Sequence, residues 1–193
     1  YVRSAITLQP GVTSFIGSNG QGKTNLVEAI EYLSTLSSHR VSNDVPLIRL
    51  GAKQAIVRAR VLAGSDDLRS LLLEVEINSG RANRTRINRA RTQRTRDLLG
   101  VLRTVVFSPN DLSIVRGDPS DRRHFLDGLV ITRWPRMAGV KADYERILRQ
   151  RNVLLKSLAG RGASAGGEAG ATLEIWDEQL ATIGAELLSA RLD

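Results

Sequence analysis

An α/β fold followed by a helical lobe is predicted by three stretches of the 193-residue sequence. The glycine-rich run GSNGQGKTNL (17–26) lies between an apolar run and an amphipathic one. Residues 55–94 alternate apolar and charged side chains between turn signals, which is strand spacing. Beyond Asp118 the apolar positions change to helical spacing.

Each element follows from its own residues. ITLQPGVTSFIG (6–17) reads as a strand, a Pro-Gly turn and a second strand entering the loop. Asn25 to Leu36 then sets Leu26, Val27, Ala29, Ile30, Leu33 and Leu36 on one helical face. AIVRARVLAG (55–64) alternates Ala55, Val57, Ala59 and Val61 against Ile56, Arg58, Arg60 and Leu62. LLLEVEINSG (71–80) points Leu73, Val75 and Ile77 inward and leaves Glu74 and Glu76 as a solvent face. Gly64 to Asp67 supplies the hairpin turn between these two, and RTRINRARTQR (84–94) reads as a third ribbon. VLRTVVFSP (101–109) is a further apolar strand stopped by Pro109.

The second lobe opens at Asp118-Pro119, a cap residue followed by proline in the first turn. Phe125, Leu126, Leu129 and Val130 are expected as the buried face of that helix. A second helix runs from Lys141 to Leu158, and the Gly/Ala-rich 159–171 reads as a flexible connector. Leu173, Trp176, Leu180, Ile183, Leu187 and Ala190 then form a heptad seam, so two helices pair as an antiparallel arm. The heptad helix reaches Asp193 without a stop signal, and YVRS runs straight into AITLQPG. Both ends therefore read as cut, with residues expected to be missing near Arg3-Ser4.

Composition narrows the function classes. There are no cysteines, so neither a disulfide framework nor a cysteine zinc site is available. No apolar run reaches membrane-spanning length, and no membrane partner is expected. Net charge is +8, and 24 of the 28 basic residues are arginine. Arginine pairs bidentately with phosphate, so a polyanion is the expected partner.

Gly17, Gly22, Lys23 and Thr24 satisfy the full G-x-x-x-x-G-K-[ST] pattern, and Gly20 adds backbone freedom inside it. The loop amides and the helix N-terminus would face phosphates, with Lys23 on the β and γ groups and the Thr24 hydroxyl on Mg²⁺. Nucleotide binding is thus assigned to 1–117 and a helical arm to 118–193. LLLEVE is the sole superficial candidate for an acidic strand end holding Mg²⁺, and its continuing alternation argues against that role. SAGGE (164–168) lies in the connector and is set aside as a signature loop.

Eight arginines fall within 81–103, opposed only by Asp97. Arg84, Arg86, Arg89, Arg91 and Arg94 are the candidate contacts to duplex phosphates; without aromatics beside them, base stacking has no support. The competing reading is a charged sheet edge. Arg40, directly after the loop helix, is a candidate contact to the nucleotide or a partner subunit. His39 and His124 have no companion ligands in sequence and read as polar packing. Arg122 and Arg123 fit a phosphate clamp in the alternative function, a P-loop small-molecule phosphotransferase, which also needs a substrate pocket and lid. A transporter engine would have no use for an arginine stripe.

GVTSFIGSNGQGKTNLVEAIEYLSTLSSHR and VVFSPNDLSIVRGDPSDRRHFLD, in this order and spacing, resemble the RecF family of bacterial recombination mediators. The resemblance implies an ABC-type ATPase head like those of SMC proteins, a mixed sheet with an antiparallel β-subdomain, plus a short helical arm lobe. It implies ATP and Mg²⁺ as cofactors and a homodimer that forms with ATP between two heads. It also implies duplex or gapped DNA, RecO and RecR as partners, support of RecA loading, slow hydrolysis and a bacterial cytoplasmic location. By resemblance Asn19, Gly20, Gly22, Lys23, Thr24 and Asn25 form the nucleotide loop. Asp111 occupies the segment that senses Mg²⁺ and attacking water, and with Lys23 it is the catalytic candidate. The family's usual Pro-Glu-Asp-Leu is Pro109-Asn110-Asp111-Leu112 in this chain. The Walker B and signature motifs are expected beyond Asp193, so a weak DNA-dependent ATPase is expected only of the full-length protein.

Overall fold

The computed structural model describes residues 1–41, 43–63, 69–159 and 168–193. The chain packs as two compact units, Tyr1–Leu112 and Ser113–Asp193. The expected turn at Gly64 to Asp67 lies outside the described residues, as do 160–167 of the connector and most of SAGGE.

In the first unit, helix α1 (Lys23–Thr35) packs on an antiparallel meander of four strands. These are β1 (Gln54–Ala63), β2 (Arg69–Asn78), β3 (Arg84–Ile87) and β4 (Ala90–Arg91), in that order across the sheet. Leu73, Val75 and Ile77 of β2 meet Tyr32 and Leu33 of α1, with Leu98 closing the cluster. Ala55, Val57, Ala59 and Val61 pack against it from β1, so the period-2 reading of that strand holds.

Four expectations for this unit are corrected. Residues 6–16 form no strand, and Ile16 is 94% exposed. Residues 103–107 form none either; Leu99 and Leu102 make a single parallel bridge, while Val105 is 100% exposed. A strand needs a neighbour to take its amides and carbonyls, and the meander supplies none for these two runs. The ribbon 84–94 is instead a hairpin: Asn88 (φ 51°) and Arg89 (φ 72°) turn the chain between β3 and β4. Two positive φ values at the centre of a two-residue loop match the right-handed twist of the flanking strands. Glu74 and Glu76 are not a solvent face. They are buried, at 7% and 6% exposure, beneath arginines from both neighbouring strands. Helix α1 likewise buries Glu28, Glu31, Tyr32 and Leu33, while Val27 stays exposed.

Asn83 ties this unit together. Its side-chain amide donates to the Tyr32 hydroxyl (3.2 Å) and to the Asp44 carboxylate (2.6 Å). Its carbonyl oxygen accepts from the backbone N–H of Asn78 (2.9 Å). Burial first, then the hydrogen bond and charge of Asp44, push the Tyr32 hydroxyl well above the ordinary tyrosine range.

In the second unit, α2 (Ser113–Arg116) leads into α3 (Pro119–Arg133). Asp118 caps α3 as expected: its carboxylate accepts from Ser120 N–H at 2.8 Å, and Asp121 reaches back to the Asp118 amide. The apolar face of α3 differs from expectation. Val130 and Asp127 turn inward, and Phe125, Leu126 and Leu129 are left exposed. Asp127 can be buried because Arg191 (2.7 Å) and Lys141 (3.7 Å) neutralise it from the two helices that follow. Those helices, α4 (Met137–Ala159) and α5 (Glu168–Leu192), pack together, and all six seam residues of α5 are at least half-buried.

Candidate functional site

The N-terminus of α1 is built to leave its amides open. Gly22 occupies the cap position in the left-handed region (φ 86°), no side chain caps the helix, and its first turn holds no acid. Helix α3 satisfies the same groups with Asp118 and Asp121, so the contrast lies in the sequence. Gly17 (φ 154°) and Gly20 (φ 80°) give the preceding loop its turns, and a Cβ on either would meet nothing within 4 Å. At Gly22 a Cβ would stand 2.7 Å from the Tyr1 phenolic oxygen, which itself donates to Gln21 O at 2.8 Å.

Lys23 curls back over this loop. Its ammonium donates to Gly17 O at 2.8 Å and Ser18 O at 2.7 Å, so it is tied to the loop that leads into the helix. An open helix terminus, glycine turns and an ammonium bonded to the same loop form a donor set that fits a polyphosphate. Asn19, Thr24 and Asn25 lie on the exposed rim of the same loop and first turn. No cluster of three or more metal-ligating side chains occurs among the described residues.

Arg40 is brought to the site by α1 itself. Its Nη1 donates to Asn25 Oδ1 (2.9 Å) and to the buried Glu28 (3.0 Å). Ser38 donates to the other oxygen of Glu28, and His39 Nδ1 pairs with Glu31, so the SSHR segment is fastened along the helix. His39 is thus polar packing, as its sequence isolation implies. A cleft of about 270 Å³ opens beside this network, lined by Asn25, Glu28, Tyr32, Arg40, Pro46 and Val57 among others. The sequence hinted at Arg40 through its position alone; the pairing with Glu28 carried no sequence signal.

Asp111 is engaged locally. Its carboxylate accepts from the Ser108 N–H at 2.5 Å, closing the short turn Pro109–Leu112. The Ser108 hydroxyl in the same turn is buried without a partner among the described residues.

The arginine candidates divide into two sets. Arg84 and Arg86 are drawn onto Glu76 and Glu74, together with Arg58 and Arg81. Arg89, Arg91 and Arg94 are exposed and take part in no ion pair among the described residues. At Glu74, burial pushes the carboxyl up. The hydrogen bonds and charges of Arg58 and Arg86 outweigh that and hold it below the ordinary carboxylate range.

No family model matches the chain. Similar proteins do. It is 77% identical over 193 residues to the DNA replication and repair protein RecF of Cutibacterium acnes, covering 100% of this chain and 49% of that protein. It is 59% identical over 192 residues to the RecF of Kineococcus radiotolerans, covering 100% of this chain and 48% of that one. Among solved structures, the recombination mediator RecF with ATP, from the RecFOR pathway, superposes with a TM-score of 0.80. That match has 33% identity over 90% of this chain and 44% of that one. The chain spans about half the length of the curated relatives it matches.

Proposed function

Because these residues belong to the RecF family, with an α/β fold like that of its ATP-bound member, we propose that they carry the nucleotide-binding part of an ATP-gated DNA clamp. The clamp would act in recombinational repair. The observation that carries the reading is the uncapped N-terminus of α1, with the ammonium of Lys23 bonded to the loop that precedes it. The loop amides and Lys23 bind and orient the phosphates of ATP, and Lys23 exchanges its bonds to Gly17 and Ser18 for bonds to phosphate oxygens. The Thr24 hydroxyl would hold Mg²⁺, which would supply positive charge against the phosphates of bound ATP. Arg40, anchored on Glu28 and Asn25, stands at the rim to reach the nucleotide or a second subunit. Asp111 is proposed to sense water or Mg²⁺ once its bond to Ser108 is released.

The arginine-bearing sheet then meets DNA. Dimerisation around ATP doubles that surface, and two weak phosphate contacts become one strong one. Slow hydrolysis would release it, with a weak DNA-dependent ATPase in the full-length protein. RecO and RecR as partners, RecA loading near gaps and a cytoplasmic location belong to the same proposal; the family relationship supports them. None of the described helices is long and apolar enough to cross a membrane.

The test is fluorescence anisotropy of full-length protein on gapped duplex, with and without ATP·Mg²⁺, at two salt concentrations. Binding that requires ATP, weakens with salt and disappears in Lys23→Met is expected. ATP-indifferent binding by both proteins would overturn the clamp.

A further inference from the structure

Two carboxylates are buried on the outward face of the central strand β2, where a sheet facing water would expose them. The register explains what covers them. Arg58 of β1 and Arg86 of β3 stand opposite Glu74 on its two sides, and Arg84 of β3 stands opposite Glu76. Arg58 Nε donates to Glu74 Oε2 at 2.6 Å, and Arg86 grips the other oxygen. Glu76 collects Arg81 (3.4 Å), Arg84 (3.8 Å) and the second nitrogen of Arg86 (3.7 Å). Arg81 is fixed further by Asn78 (2.8 Å) and Gln54 (3.0 Å).

We propose that Glu74 and Glu76 are positioning residues of the DNA-contacting face, holding Arg58, Arg81, Arg84 and Arg86 as a fixed guanidinium array for backbone phosphates. The inference rests on the DNA reading above. Three observations carry it. A ladder serving stability alone needs one cation per carboxylate, and this one has four guanidiniums on two carboxylates, so the face stays cationic after pairing. The arginines remain accessible: the side chains of Arg58 and Arg81 are 58% and 52% exposed. Each guanidinium has five N–H donors, so one anchored beneath still presents others outward. Lastly, a free arginine carries substantial rotamer entropy. An array ordered before DNA arrives loses less of it on binding.

The consequence runs against charge counting. Glu74→Gln and Glu76→Gln each make the protein more positive, so simple attraction to DNA would strengthen binding. The positioning role requires it to weaken. The measurement is anisotropy of labelled duplex with full-length protein and ATP·Mg²⁺ over a salt series. The proteins are wild type, Glu74→Gln, Glu76→Gln and the exposed-site variant Arg58→Gln, with thermal melts run in parallel. Affinity should fall at least about threefold in each variant, and the slope of log K against log salt should become shallower by roughly 1 per arginine lost or released. A purely structural glutamate would lower the melt and leave the slope unchanged. If Glu74→Gln does not fold, Glu76→Gln and Arg58→Gln decide the matter by the same slopes. Unchanged or tighter binding in the variants, with wild-type binding intact, overturns this inference alone. Wild-type protein indifferent to DNA at every salt overturns the DNA reading and this inference with it.

Discussion

Arg40 and Glu28 form a 3.0 Å ion pair with one member in water and the other under the protein: their side chains are 41% and 8% exposed. Removing the arginine strands a buried carboxylate with the Ser38 hydroxyl. Arg40→Ala should therefore destabilise the fold by about 1–3 kcal/mol. Adding Glu28→Gln should recover part of the loss, because the stranded charge is gone. Urea melts of the two singles and the double decide it, and strict additivity would contradict the pairing.

Lys23 behaves oppositely. Its two bonds are to exposed loop carbonyls, so Lys23→Met should change stability by less than about 1 kcal/mol. ATP binding should nevertheless vanish in titration calorimetry. A variant that melts early and still binds ATP would mean the lysine is a structural strut.

Arg89 sits at φ 72°, where the turn after Asn88 favours glycine. Relieving that strain, Arg89→Gly should stabilise the hairpin by roughly 0.5–1 kcal/mol in urea melts. Its affinity for duplex DNA should fall in the same samples, since the tip loses an exposed guanidinium.

Glu74 ties stability to acid. Its carboxyl is held below the ordinary range, so the folded state binds its proton less readily than the unfolded chain does. Its contribution is complete above the unfolded value, near 4, and is lost as pH falls through the lower folded value. The melting-temperature gap between wild type and Glu74→Gln should be widest at neutral pH and close steadily below about pH 4. A gap that does not vary with pH would mean the arginines do not act through the charge.

What could be read in advance was what depends on near neighbours. The glycine loop before α1, the Asp118 cap and the α5 seam are each written in consecutive or periodic residues, and each stands where its pattern places it. The alternation of β2 likewise revealed which side Glu74 faces. It could not reveal that Arg58 and Arg86, 16 and 12 residues away, would cover that side, because register is a tertiary fact. Ile6 to Ile16 and Arg103 to Phe107 show the same limit in reverse. They have strand composition, and the sheet gives them no strand partner. Asn88-Arg89 carries half a turn signal, the asparagine without its usual glycine, so the hairpin is not legible in the sequence.

The amide of Asn83 acts mechanically as a pin through three parts. Tyr32 hangs on it from the loop helix, Asp44 from the segment after SSHR, and Asn78 from the strand that carries the two glutamates. A pin carries displacement between the parts it joins. A tilt of α1 from its loop end loads the 2.6 and 3.2 Å contacts at this pin, which stands next to the strand that bears Arg84 and Arg86.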